Sequence, residues 1–148
     1  MGPEGAKYLA EALNVNTSMT SLNLSSTGLC GIYDWGYGPE GEYDATGIQA
    51  IVAALSVSSS MKKIKVHKCE LPIDVLKTGV EVDLSSQKLQ VEDAIIIAAC
   101  INVSSSMKFL DLSSNELCGL NKRGQGTYDA TGIKAIAHAL SVSSSMTS

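Results

Sequence analysis

The chain has 148 residues, is 45% hydrophobic but only 5% aromatic, and carries a net charge of −4. That length supports a single aliphatic core, and no run of 18 or more apolar residues is present to cross a membrane as a helix. An acidic balance with no basic stripe or basic helix argues against nucleic acid as a partner.

In chain order, Leu9, Ala10 and Leu13 open with a helical stripe, and a polar turn from Val15 to Met19 leads to Leu22 and Leu24, whose alternation marks a strand. Thr27 and Leu29 complete a skeleton of apolar positions. A glycine-rich insertion follows at 31–43. From Asp44, a good N-cap residue, Ile48, Ile51, Val52 and Leu55 fall on one helical face. The second skeleton is Ile64, Val66, Cys69 and Leu71, after which Leu71 to Lys77 predicts one helical turn at most, opening at Pro72 and ended by Thr78-Gly79. Val82, Leu84, Gln87 and Leu89 form the third, with a helix stripe at Ala94, Ile97, Ala98 and Ile101 that leaves Ile95 and Ile96 off the core side. The fourth is Leu110, Leu112, Asn115 and Leu117, followed by an insertion at 119–128 and a helix from Asp129 with Ile133, Ile136, Ala137 and Leu140 on its face. Met19, Met61 and Met107 each stand three residues before a skeleton, and Met146 begins the pattern again, so the chain reads as a segment of a longer array.

A short strand, a turn and an amphipathic helix, repeated, cannot bury their apolar faces singly but can when stacked. The residue at the Asn-type position (Thr27, Cys69, Gln87, Asn115) is suited to satisfy backbone groups as the chain leaves the strand. Leu110-Asp111-Leu112-Ser113-Ser114-Asn115-Glu116-Leu117, Leu22-Asn23-Leu24-Ser25-Ser26 and the helix Gly5 to Leu13 resemble leucine-rich repeat proteins of the ribonuclease-inhibitor-like subtype. The resemblance implies an α/β solenoid, a horseshoe fragment with about four parallel strands on the concave face and helices on the convex face, forming one domain over 1–148. The skeletons are spaced 42, 18 and 28 residues apart, against about 20–29 for such repeats, so the second unit is too short for a full helix.

Both insertions follow Leu-Cys-Gly and rejoin at Tyr-Asp-Ala-Thr-Gly-Ile, which places them on one rim of the expected solenoid. Tyr33, Trp35 and Tyr37 in the first, and Lys122 and Arg123 in the second, are candidate partner-binding residues, because aromatic and cationic side chains on loops of a rigid scaffold are common at interfaces. Tyr43 and Tyr128, next to helix caps, read as packing residues. On the outward strand face, Lys63 and Lys65 are expected beside Glu81 and Asp83, largely neutralising them. Phe109, with Asp111, Lys65 and His67, completes the candidate surface, since an outward aromatic on a strand calls for a cover.

Cys30, Cys69, Cys100 and Cys118 occupy small-hydrophobe positions with no Cys-x-x-Cys pair, which reads as reduced thiols in the cytoplasm or another reducing intracellular compartment. A phosphate loop, a nucleophile elbow, a zinc-binding helix motif and a carboxylate pair with a base are all missing from the sequence, so no catalysis, cofactor or metal is expected. The functional expectation is a non-catalytic protein–protein interaction scaffold. The alternatives are a structural subunit permanently embedded in a large complex, or a receptor segment that takes a glycan or small molecule through its Tyr/Trp loop.

Overall fold

A computed structural model describes residues 1–31 and 43–143, together with the backbone of 33–34 and 39–40. Helix α1 (Gly2–Val15) leads to strand β1 (Ser21–Asn23), then to the short strands β2 (Tyr33–Asp34) and β3 (Pro39–Glu40) and to helix α2 (Thr46–Val57). Strands β4 (Lys63–Lys65) and β5 (Glu70–Pro72) precede the six-residue helix α3 (Ile73–Thr78). Strand β6 (Glu81–Asp83), helix α4 (Val91–Val103), strand β7 (Phe109–Asp111) and helix α5 (Thr131–Val142) complete the order.

Helices α2 and α5 begin just after an aspartate that accepts a hydrogen bond from their first turn. Asp44 Oδ1 accepts from the Thr46 N–H at 2.8 Å, and Asp129 Oδ1 from the Thr131 N–H at 2.8 Å, each satisfying a donor that the first turn leaves unpaired. Hydrogen bonds from Thr46 also hold the Asp44 carboxyl below its usual range. Both insertions are clipped at their base in the same way, by Asp44 N–H to Cys30 O at 2.8 Å and Asp129 N–H to Cys118 O at 2.9 Å. Glycines in the shared Ala-Thr-Gly-Ile words allow close helix approach: a Cβ on Gly47 would lie 2.8 Å from Pro3 Cα, and one on Gly132 would lie 2.7 Å from Ala94 Cβ.

The expected solenoid does not form. A horseshoe would set β1, β4, β6 and β7 side by side in one parallel sheet, whereas the described residues make a small mixed α/β domain with separate, short sheets. In the three-stranded sheet, β1 pairs parallel with β4, while β5 pairs antiparallel on the other edge of β4, with Ile64 opposite Leu71 and Lys65 opposite Glu70. Strands β6 and β7 form a parallel pair of their own, and β2 and β3 an antiparallel pair. The reason lies in the short step between Ile64 and Val82. After β4 the chain turns back within a few residues, so β5 takes the edge that a solenoid would have given to β6, and only the short helix α3 follows before β6. Lys63 therefore meets Glu70, 2.9 Å away, and not the expected Glu81.

With the sheets separate, the helices carry the core. Helix α4 packs against α2, α3 and α5, and α1 packs against α2. From Asp93 to Ile101 every residue of α4 is buried. Ile95 and Ile96, expected to be exposed, are 9% and 0% accessible, because α4 has neighbours on all sides and not a solvent face. Lys77 of α3 donates through Nζ to Leu55 O and, at 2.8 Å, to Ser58 O, tying α3 to the C-terminal end of α2. Burial keeps that ammonium below the ordinary lysine range. None of the described helices is long and apolar enough to cross a membrane.

Candidate functional site

Strands β6 and β7 run parallel with Glu81 opposite Phe109, Val82 opposite Leu110 and Asp83 opposite Asp111. The two-residue period sends Val82 inward, where it is buried, and leaves Glu81 and Phe109 on the outward face. Phe109 is 55% exposed. Two carboxylates directly opposite one another would repel, but each is engaged by its own turn: Asp83 Oδ1 accepts from Ser85 N–H at 2.9 Å and Asp111 Oδ1 from Ser113 N–H at 2.8 Å. The bonds from the Ser85 backbone and side chain hold the Asp83 carboxyl below its usual range.

The turns after these strands are stitched together by Asn115. Its Nδ2 donates to Leu84 O at 2.8 Å and to Leu112 O at 3.0 Å, while its Oδ1 accepts from Gln87 N–H at 3.0 Å and Leu89 N–H at 3.1 Å. Lys88 lies between those two donors and has φ +59°. A left-handed conformation costs a residue with a Cβ about 1–2 kcal/mol, and it is held here because Asn115 fixes the backbone on either side. At the matching place after β1 the chain has Gly28, with φ +64°. A lysine thus occupies a position whose backbone suits glycine.

Opposite this turn stands the second insertion, a tight hairpin. Asn121 builds it: the side-chain Oδ1 accepts from Arg123 N–H at 2.9 Å and Gln125 N–H at 3.0 Å, and Leu120 bridges Gly126 antiparallel. The hairpin tip therefore presents Lys122 and Arg123, both exposed, on a backbone its own side chains have fixed. Between tip and turn lies an open cleft of about 360 Å³, lined by Ser86, Lys88, Ser114, Glu116, Lys122 and Arg123 among others. Among the described residues, none of the three cationic side chains has an ion-pair partner.

The sequence-derived candidates separate into groups. Phe109, Asp111, Lys122 and Arg123 belong to the β6–β7 end. Lys65, on β4, and His67, in the turn after it, lie on the three-stranded sheet, with His67 Nδ1 3.8 Å from Glu92 Oε2. Tyr33 falls in β2, of which only the backbone is described, and Trp35 and Tyr37 lie outside the described residues. Sequence reasoning missed Lys88. The one signal in the repeats is that Ser26-Thr27-Gly28-Leu29 aligns with Ser86-Gln87-Lys88-Leu89, where Gly28 and Lys88 share a positive φ that the aligned Glu116 does not adopt.

A second polar feature lies in the first turn of α4. Asp93 is fully buried; its Oδ2 accepts from Gln90 N–H at 2.9 Å, and its Oδ1 has no partner among the described residues. Burial pushes this carboxyl up to about 6, against the opposing pull of the Gln90 bond and of His67. Burial also raises the Cys30 and Cys100 thiols to about 12, and all four cysteines are free. Among the described residues no group of three or more His, Cys, Asp or Glu side chains is placed to hold a metal ion. No protein-family model matches the chain, and no curated protein matches it.

Two stability outcomes arise from this geometry. Replacing Lys88 with Gly relieves the left-handed strain but adds about 0.5–1 kcal/mol of unfolded-chain entropy, so K88G should be more stable by about 0.5–1 kcal/mol, read as a melting temperature about 2 °C higher; a lower melting temperature would contradict the strain. For Asp93, the folded value of about 6 lies above the unfolded value of 3.8. Its contribution is fully present below 3.8 and is lost as pH rises through about 6. At about 1.4 kcal/mol per pH unit, ionisation in the folded state costs up to about 3 kcal/mol. Melting curves should therefore show wild type more stable at pH 5 than at pH 7.5, and D93N, which keeps an acceptor for Gln90, nearly level between them. A wild type that is level, or falls, at pH 5 would contradict the assignment.

Proposed function

We propose that this chain is a non-catalytic protein-interaction module whose partner seats on the outward face of β6 and β7 and on the neighbouring 121–125 hairpin. The observation that carries the reading is Phe109. An aromatic side chain with more than half its surface open, on a strand three residues long, contributes little to its own sheet but offers a partner a large, rigid apolar contact. Around it the surface is polar, with Glu81 opposite Phe109 and Asp83 opposite Asp111, which resembles the apolar centre and charged rim of an interface. The cationic hairpin, beyond the C-terminal ends of these strands, adds a second, oppositely charged contact. Nucleic acid is disfavoured as a partner, because the acidic face would repel a continuous polyanion. The free cysteines support residence in a reducing compartment.

A structural subunit embedded in a larger assembly is the second reading. It draws on Ile133, Leu140 and Val142 of α5, which are exposed apolar side chains on one terminal helix.

Both readings are tested by panning a random peptide library against the purified chain with counter-selection on Phe109→Ser. The module reading expects peptides rich in apolar and acidic residues that bind wild type at least tenfold better than F109S, from a chain that is monomeric at micromolar concentration. Absence of any enriched peptide, together with concentration-dependent self-association, would contradict it and favour the subunit.

A further inference from the structure

We propose that the cleft between the Ser86–Lys88 turn and the 121–125 hairpin binds the phosphoryl group of a phosphoserine or phosphothreonine on the protein partner, an inference that rests on the interaction reading above. Three cations, Lys88, Lys122 and Arg123, line the cleft against one carboxylate, Glu116. Among the described residues none of those cations is neutralised by an ion pair. This concentration of positive charge stands out in a chain of net charge −4, directly beyond strands whose outward faces carry Glu81, Asp83 and Asp111.

The charge balance selects the ligand. A phosphate monoester carries about −1.5 to −2 near neutral pH and has three acceptor oxygens. It matches a surplus of two cations better than a lone carboxylate does. Arg123 can donate two parallel N–H bonds to it, Lys88 and Lys122 serve as point charges, and the hydroxyls of Ser86 and Ser114 add donors. The cleft, about 360 Å³ and open to solvent, has room for a phosphoryl group. The acidic strand face excludes a long polyanion or an anionic lipid surface, which would have to approach Asp83 and Asp111 as well.

The backbone supports the same assignment. Asn115 and Asn121 fix the backbone of the two walls from which Lys88, Lys122 and Arg123 extend.

The test uses three probes on the folded chain: inorganic phosphate, a degenerate peptide library centred on phosphoserine or phosphothreonine, and the same library with unmodified serine or threonine. Inorganic phosphate is expected to shift the backbone amide signals of residues 86–88 and 121–125. The phosphorylated library should bind at least tenfold tighter than the unmodified one, and Lys88→Gly and Arg123→Gln should each bring that preference to within about threefold. Since K88G is expected to melt no lower than wild type, loss of preference in it cannot be ascribed to unfolding. Equal binding of the two libraries, still weakened by Phe109→Ser, would overturn this inference and leave the interaction reading standing. Binding of neither library would overturn both, as would a phosphate titration in which those amides do not move while peptides fail to bind.

Discussion

Helix α4 buries every residue from Asp93 to Ile101, and the placement of the other elements is governed by the need to cover it. Ile95, Ile96, Ile97 and Ile101 alone, at about 1.5–3 kcal/mol per buried side chain, offer on the order of 10 kcal/mol before entropy is counted. That is as large as the whole net stability of an ordinary domain. Because the strands form separate sheets, α4 also joins the two parts of the chain, packing on α2 and α3 on one side and α5 on the other. An ionisable group in such a helix is costly, and Asp93 shows the cost as a carboxyl whose affinity for its proton is raised.

The rigidity of that core is what makes the outer turns capable of precise presentation. Strands of three residues make few hydrogen bonds, so the β6–β7 pair depends on its C-terminal turns: those closed by Asp83 and Asp111, with Asn115 reaching across both. One amide side chain thereby fixes the backbone on which Lys88 sits. The hairpin opposite repeats the strategy with Asn121. Side-chain amides that mimic backbone partners let short segments hold a shape that sheet hydrogen bonding could not impose on them.

Much of the local structure was legible from residue spacing. The apolar skeleton positions Leu24, Leu29, Ile64, Val66, Leu71, Val82, Leu84, Leu89 and Leu117 are all buried, while Asp44, expected as an N-cap, sits one residue before the N-cap Ala45 and accepts from the Thr46 N–H. Asn115 performs the backbone role its position suggests. The way these pieces assemble was not legible. Periodicity reports which side of an element is apolar but not which strand lies beside it, and the short step after Ile64 let β5 fold back where a further parallel strand was expected. The same limit hid the all-round burial of α4, since a single apolar stripe presumes one solvent face. Lys88 was missed because its importance lies in a backbone angle, and only the comparison with Gly28 signals it.

Helix α4 is thus the pivot that joins the two parts of the molecule into one cooperative unit, and native-state hydrogen exchange tests this most directly. The amides of α4 from Ile95 to Ile101 are expected to be the slowest in the chain, opening only with global unfolding, at a free energy equal to that from denaturant melting. Exchange of α4 at a lower free energy than α1 and α2, or separate opening of the 1–78 and 79–143 regions, would contradict it.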